Sequence, residues 1–130
     1  MASIFTKIVN GEIPCYKIAE TANCLAFLDV FPLVKGHTLV IPKKEIDYIF
    51  DVDDALFTEL QLFSKKVALA VGKAMPCKRV GVAVIGLEVP HAHIHLVPLN
   101  SVSDINFAQP KLKLSPEELE QARQAIVKCL

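Results

Sequence analysis

The first half of the chain contains short runs in which apolar and polar residues alternate. Alternation with a period of two predicts β-strands, because successive side chains of a strand point to opposite faces. Two such runs, residues 15–20 and 24–29, are separated by Thr21-Ala22-Asn23, which predicts a turn and hence a hairpin. A third strand is predicted over residues 37–41, between Gly36 and Pro42.

Three other segments have helical spacing. Residues 3–10 place apolar side chains one, three and one positions apart, which predicts one or two helical turns ending at Asn10-Gly11. Over residues 53–73 apolar side chains recur at intervals of three and four, which predicts one long amphipathic helix. The sequence Ser115-Pro116-Glu117-Glu118 combines a hydroxyl N-cap, a proline at the first helical position and an acidic first turn. It predicts a final helix that reaches about Lys128.

Two more strands are predicted in the second half of the chain. Residues 79–85 are rich in valine and predict a strand buried on both faces. Residues 91–99 predict the fifth strand, and residues 100–113 lack a clear period and predict an ordered loop. The predicted fold is α+β: a five-stranded antiparallel sheet with one long helix, a short N-terminal helix and a C-terminal helix. We expect the helices on one face, with the other face open for a ligand.

Length and charge narrow the class of protein. A chain of 130 residues predicts a single domain over residues 1–130, with the core at about 3–99 and a C-terminal loop and helix at 100–130. Fourteen basic and fourteen acidic residues cancel, so we expect no nucleic-acid partner. No signal peptide or bilayer-spanning run is apparent, which predicts a cytoplasmic protein without membrane contact. The four cysteines form no C-x-x-C pair and are expected to be reduced, mostly packed thiols.

All four histidines lie in or at the start of predicted strands. In His91-Ala92-His93-Ile94-His95-Leu96 they alternate with apolar residues, so the three imidazoles are expected on one face. Their Cα atoms would be roughly 6–7 Å apart, from the rise of a strand. The fourth, His37, begins the third strand. A stripe of ionisable rings on a face that could bury aliphatic side chains favours chemistry over packing.

Two kinds of chemistry fit this pattern. Histidines two residues apart on a strand can both bind zinc, although Val97, Leu99 and Ser101, the next residues in phase, offer no further ligand. Alternatively, a neutral imidazole attacks phosphorus while a neighbouring imidazole stabilises the phosphate or assists the leaving group. We favour the second interpretation, which needs no metal or other cofactor.

The stretch from His91 to Val97 resembles the histidine triad, in which histidines alternate with hydrophobic residues. Three segments resemble the corresponding family segments in the same order, namely residues 3–14, 25–32 and 36–43. The chain is therefore identified as similar to the histidine triad (HIT) family. The resemblance implies a nucleotide-binding hydrolase that cleaves at the α-phosphate of a nucleoside phosphoramidate, a dinucleoside polyphosphate or a related nucleotidyl compound. It implies a purine nucleotide or nucleotidyl substrate and a homodimer.

The resemblance also implies roles for individual residues. His93 would attack the α-phosphorus and form a nucleotidyl-histidine intermediate that water hydrolyses, and His95 would contact the phosphate and assist the leaving group. His91 and His37 would orient their neighbours and hold phosphate, and Asp29 would bind the ribose hydroxyls. The remaining nucleotide-binding residues are apolar and are expected to shape the base pocket: Ile4, Phe5, Ile8, Phe27 and Val89.

The chain departs from the family pattern in two places. Residues 84–90 lack the glutamine, serine and asparagine that donate to the phosphate in many members, and Glu88 would repel it. A nucleotide-binding or scaffolding module with weak activity is therefore the alternative function. Ser3, Thr6 and Glu45 stand where some bacterial relatives have zinc ligands, so we expect no zinc site there.

Overall fold

The computed structural model describes residues 2–130 of the chain. Five strands form one antiparallel sheet in the order β1-β2-β3-β5-β4. The strands are β1 (Lys17–Glu20), β2 (Cys24–Leu28), β3 (Thr38–Pro42), β4 (Arg79–Ala83) and β5 (Ile94–Leu99). The predicted hairpin is β1 and β2, and the prediction of an α+β fold with a five-stranded antiparallel sheet is confirmed.

Three α-helices accompany the sheet: α1 (Ile4–Val9), α2 (Asp54–Ala74) and α3 (Pro116–Val127). Each begins at a side chain that accepts a hydrogen bond from a free backbone N–H of the first turn. Ser3 caps α1, Asp53 caps α2, and Ser115 forms a capping box with Glu118 at α3. The helices predicted from spacing and caps are thus confirmed. Within residues 2–130, no helix has the length and apolar character needed to cross a bilayer.

The sheet has an apolar core on each face. The long helix α2 and helix α3 cover one face, where Leu60, Val67 and Ile126 pack with Val40 and Ile94 of the central strands. The short helix α1 covers part of the other face, and its Phe5 joins a smaller cluster. The other buried members of this cluster are Leu25, Phe27, Leu39 and Ile41. The expectation that all helices lie on one face is therefore wrong, because α1 packs on the histidine side.

Strand β4 is not buried on both faces, as its valines had suggested. It ends at Ala83 and forms the edge of the sheet, paired only with β5. Val82 is 61% exposed, and the apolar Val84, Ile85 and Leu87 that follow are also exposed. An edge strand has one neighbour fewer than a central strand, so a continuous apolar run does not guarantee burial.

Strand β5 begins at Ile94, three residues later than predicted. Its ladder with β3 ends at the pair Val40 and Ile94, because Ile41 and Pro42 pair only with β2. The Ala92 N–H donates instead to the Ile46 carbonyl at 2.7 Å. The residues from His91 to His93 therefore form an irregular approach to the strand.

Candidate active site

A cleft of about 640 Å³ opens on the α1 side of the sheet. This volume lies within the range typical of small-molecule sites. The cleft is bounded by α1, the end of β2, the segment from Ile85 to Val89 and a loop after β5. Of the four histidines, His93 and His95 line it. His91 and His37 are fully buried and do not reach the cleft.

The three triad imidazoles do not form one row on a strand. The rings of His93 and His95 are 4.9 Å apart at their centroids and meet edge to face. Phe5 packs against both His93, at 5.0 Å, and His91, at 5.8 Å. The prediction that all three triad histidines stand on one strand is wrong, because only His95 belongs to β5.

The tautomer of His93 follows from its hydrogen bond to the backbone. Its Nδ1 lies 2.7 Å from the carbonyl oxygen of His91, and a carbonyl can only accept. The proton is therefore on Nδ1. In the neutral ring, Nε2 then carries an unshared electron pair on the side of the cleft. This is the arrangement that a nucleophilic imidazole requires.

A backbone amide fixes the proton positions of His37 and His95. The Leu33 N–H donates to Nδ1 of His37 at 3.0 Å, so a neutral His37 carries its proton on Nε2. That Nε2–H donates to Nδ1 of His95 at 2.9 Å. His95 must then carry its own proton on Nε2, where it can donate to a bound oxygen. His95 therefore presents its Nε2–H to the cleft, beside the free Nε2 of His93.

Burial keeps this pair of histidines neutral. It lowers the pKa of His37 to about 3, and the nearby His95 and Lys111 lower it further in the same direction. Burial likewise lowers the pKa of His95 to about 4, with smaller contributions from His93 and Lys111. At neutral pH the two rings act as hydrogen-bond donors and acceptors and carry no positive charge.

The acidic residue predicted to bind ribose lies at the cleft beside the imidazoles. Asp29 follows β2, lines the cleft and accepts the N–H of Phe31 at 2.9 Å. Its second carboxylate oxygen is 3.7 Å from Nε2 of His37. Burial raises the pKa of this carboxyl group, while the Phe31 N–H and the charge of Lys111 oppose that shift.

The apolar residues assigned to the base pocket all line the cleft. They are Ile4, Phe5, Ile8, Phe27 and Val89. Phe5 and Phe27 meet edge to face with their centroids 5.6 Å apart. Glu88 also lines the cleft.

Comparisons with known proteins identify the family of the chain. Residues 10–102 match the HIT domain family. The chain belongs to the HIT family. It is 37% identical over 128 residues to the adenosine 5'-monophosphoramidase hnt1 of Schizosaccharomyces pombe, covering 97% of this chain and 96% of that protein. It is 31% identical over 132 residues to the adenylylsulfatase HINT3 of Arabidopsis thaliana, covering 98% of this chain and 66% of that one.

A solved HIT structure shares the fold. The Hit-like protein of Bartonella henselae, crystallised with an unknown ligand, superposes with a TM-score of 0.86 at 29% identity. The superposition covers 98% of this chain and 96% of the other.

Ser3, Thr6 and Glu45, at which no zinc site was expected, form a hydrogen-bond network with His91 in this chain. The Ser3 hydroxyl lies 2.8 Å from Nδ1 of His91, whose Nε2–H donates to the Pro42 carbonyl at 2.8 Å. Glu45 accepts the Ser3 N–H and the Thr6 hydroxyl, both at 2.6 Å. Zinc is bound by thiolates, imidazoles and carboxylates, and of this network only His91 and Glu45 offer such a group, fewer than a zinc site requires. This donor set does not fit a zinc ion.

A second group of possible metal ligands lies at the cleft. Within residues 2–130, ligand atoms of Asp29, His37 and His95 lie within 4.8 Å of one another. The shared hydrogen bond between the two imidazoles occupies the nitrogens that face each other. A metal there would have to break that bond.

Phe107 and Lys111 line the HIT cleft but were not among the predicted site residues. Both come from the loop after β5, which has no periodicity to mark it. Phe107 packs edge to face on His95 with a centroid distance of 4.7 Å. Phe107 is the one aromatic residue of residues 100–113, and this was the one signal available.

Proposed function

We propose that this HIT protein is a nucleotide hydrolase that cleaves at the α-phosphate of a nucleoside phosphoramidate or a related nucleotidyl compound. The observation that carries the proposal is the free Nε2 of His93, aimed into a nucleotide-sized cleft by the Nδ1–H bond to the backbone. The names of two relatives, a monophosphoramidase and an adenylylsulfatase, support cleavage at the α-phosphorus, although the bond broken is P–N in one and P–O in the other.

The proposed reaction has two displacement steps at phosphorus. The electron pair on Nε2 of His93 attacks, the nitrogen–phosphorus bond forms, and the bond to the leaving amine breaks. The departing nitrogen keeps that bond's electron pair and takes a proton from solvent. Water then attacks the nucleotidyl-histidine, the electron pair returns to Nε2, and the water proton is released with the nucleoside monophosphate.

The other polar groups would bind and position the substrate. The Nε2–H of His95 would donate to a phosphate oxygen as negative charge builds on it. Buried His37 fixes that proton, and buried His91 supplies the carbonyl that orients His93, so both would act through their neighbours. The carboxylate of Asp29 would accept hydrogen bonds from the ribose hydroxyls, and the apolar wall with Phe5 and Phe27 would hold a purine base.

Replacing the nucleophile tests the proposal. With adenosine 5'-phosphoramidate, we expect His93→Ala to lower kcat at least about a thousandfold while the variant still binds AMP. Mass spectrometry after an alkaline quench should find the adenylyl adduct on the wild-type chain and none on His93→Ala. Undiminished turnover by the variant would contradict the proposal.

A nucleotide-binding module with weak activity is the second candidate. It is favoured by the segment before the triad, where Gly86, Leu87, Glu88 and Val89 line the cleft without a neutral polar side chain. Calorimetry that shows AMP binding by the wild type, together with negligible turnover, would favour this candidate over the hydrolase.

We also propose that two copies pair through the edge strand β4, in a compartment where nucleotides occur, such as the cytoplasm. Exposed Val82 of this strand and exposed Leu69 of α2 flank a groove of about 570 Å³. Pairing there would cover apolar surface and a free strand edge. Sedimentation should give the mass of a dimer for the wild type and of a monomer for Val82→Lys. A monomeric wild type would contradict the proposal.

A further inference from the structure

The loop after β5 supplies a positive charge to the cleft. Lys111 lines the cleft together with His95 and Asp29. Among the described residues that line it, Lys111 is the one lysine or arginine. The two carboxylates in the same lining, Asp29 and Glu88, are both unfavourable for an anion.

The loop that carries Lys111 is held at two points. Phe107 packs on His95, at a centroid distance of 4.7 Å, and on His37 at 6.3 Å. The Leu112 N–H donates to the Pro32 carbonyl at 2.8 Å, which ties the residue after Lys111 to the segment that follows Asp29. The side chain of Lys111 therefore starts from a fixed backbone position beside the imidazoles.

The ammonium group of Lys111 is bound only by weak local partners. It donates to the Phe107 carbonyl at 2.8 Å and lies 5.6 Å from the centroid of the Phe107 ring. The residue is exposed, and no carboxylate within residues 2–130 forms an ion pair with it. A lysine head on a flexible stem can leave such partners for a phosphate oxygen at little cost.

The positive charge that would balance a phosphate in this cleft cannot come from His37 and His95. Both rings are neutral at pH 7, because their pKa values are near 3 and 4. The segment from Gly86 to Val89 contributes no neutral polar side chain either. The charge of Lys111 already acts on Asp29, His37 and His95, which places it on the His95 side of the cleft.

We propose that Lys111 is a substrate-binding residue whose ammonium group pairs with the α-phosphate, on the His95 side of the site. It takes the place of the neutral donors that the segment before the triad lacks. The assignment rests on the proposed function, since it names a further contact to the same phosphate. It makes recognition of the nucleotide depend on a loop outside the matched HIT domain, which ends at residue 102.

The experiment compares Lys111→Gln, Lys111→Arg and Lys113→Gln with the wild type. Lys113 is an exposed lysine of the same loop that does not line the cleft, so its variant is the matched control. Calorimetry measures Kd for AMP and for adenosine, which lacks the phosphate. We expect Lys111→Gln to weaken AMP binding about tenfold or more, because a hydrogen bond to a charged group is lost. Adenosine binding should stay within about twofold, and Lys111→Arg should retain most of the AMP affinity.

Turnover adds a second readout. Lys111→Gln should lower kcat/KM by the same factor for adenosine 5'-phosphoramidate and for adenylyl sulfate, since both contain the same α-phosphate. A loss confined to adenylyl sulfate would overturn the assignment and place the charge on the leaving group. Equal AMP affinity in Lys111→Gln and Lys113→Gln would also overturn it.

These outcomes separate the two proposals. If the wild type binds AMP but has no turnover, the hydrolase proposal fails, and the AMP and adenosine affinities still decide the role of Lys111. If turnover is normal and Lys111→Gln binds AMP like the wild type, only the Lys111 assignment fails. A wild type that binds no AMP would overturn both.

Discussion

Three of the four buried imidazoles are hydrogen-bonded to a backbone group that can only donate or only accept. Carbonyl oxygens accept from His93 and His91, and the N–H of Leu33 donates to His37. These contacts fix the proton on one nitrogen of each ring. A sequence records the four histidines but not these partners, so the tautomer of each ring could be assigned only from the folded geometry.

Ser3 illustrates how one small side chain supports this arrangement. It caps α1 through the Thr6 N–H at 3.0 Å, and it donates to Nδ1 of the fully buried His91 at 2.8 Å. We expect Ser3→Ala to lower the free energy of unfolding by about 2 to 3 kcal/mol, from the lost cap and an unpaired buried nitrogen. Urea denaturation measures this loss. KM for the nucleotide should also rise, because α1 carries Phe5 and Ile4 of the cleft wall.

The control is Ser115→Ala, which removes the N-cap of α3, a helix that does not line the cleft. It should cost about 1 kcal/mol and leave KM unchanged. Equal losses for the two variants would show that the Ser3 contact to His91 contributes nothing.

At the scale of elements, the helices could be predicted from the sequence more fully than the strands. Caps and turn residues act locally, so Asp53 and Ser115 mark the starts of α2 and α3 without reference to the rest of the chain. The exposure of β4 and the late start of β5 depend instead on sheet order and on which residues of β3 remain free to pair. Neither feature can be predicted from the local sequence pattern.

The turn before β3 places His37 behind the site and depends on Gly36. This residue has φ +94°, and a Cβ there would lie 2.5 Å from Cγ of Met75, which is buried. We expect Gly36→Ala to cost about 2 to 4 kcal/mol, from the left-handed backbone together with overpacking. Urea denaturation measures the loss. Gly11→Ala is the matched control, since Gly11 has φ +78° with no atom within 4 Å of the added Cβ, and it should cost about 1 kcal/mol. A loss for Gly36→Ala no larger than the control's would contradict the packing argument.

At the scale of the molecule, the candidate site is assembled from segments far apart in the chain. Of the residues that the motifs mark, His93, His95 and Asp29 line the cleft, whereas His91 and His37 are buried and do not. Phe107 and Lys111 reach it because their loop folds back over β5 and is tied to Pro32. The spacing of residues in the sequence contains no information about such a return.

The burial of neutral histidines makes the stability of the whole protein depend on pH. In the unfolded chain a histidine takes up a proton near pH 6.5, whereas the pKa values of His37 and His95 in the folded protein are about 3 and 4. Between these values the unfolded state binds more protons, so the free energy of unfolding falls as the pH falls. The contribution of each ring is fully present above pH 6.5 and is lost as the pH drops towards its folded pKa.

When the pH is lowered from 7 to 5, each of the two rings should therefore lower the free energy of unfolding by about 2 kcal/mol. Carboxyl groups ordinarily titrate below this range. Urea denaturation across this range measures the slope. His95→Gln removes one of these rings and should reduce the slope by roughly a third to a half, because burial also lowers the pKa of His91, which adds to the slope. This holds even if the stability of the variant at pH 7 is lower. A stability that stays constant from pH 7 to pH 5, or a slope that His95→Gln leaves unchanged, would mean that these rings are protonated as readily in the folded protein as in water. The hydrogen bond from His37 to His95 could not then persist at pH 5, because a second proton on His95 would occupy Nδ1, the nitrogen that accepts this bond.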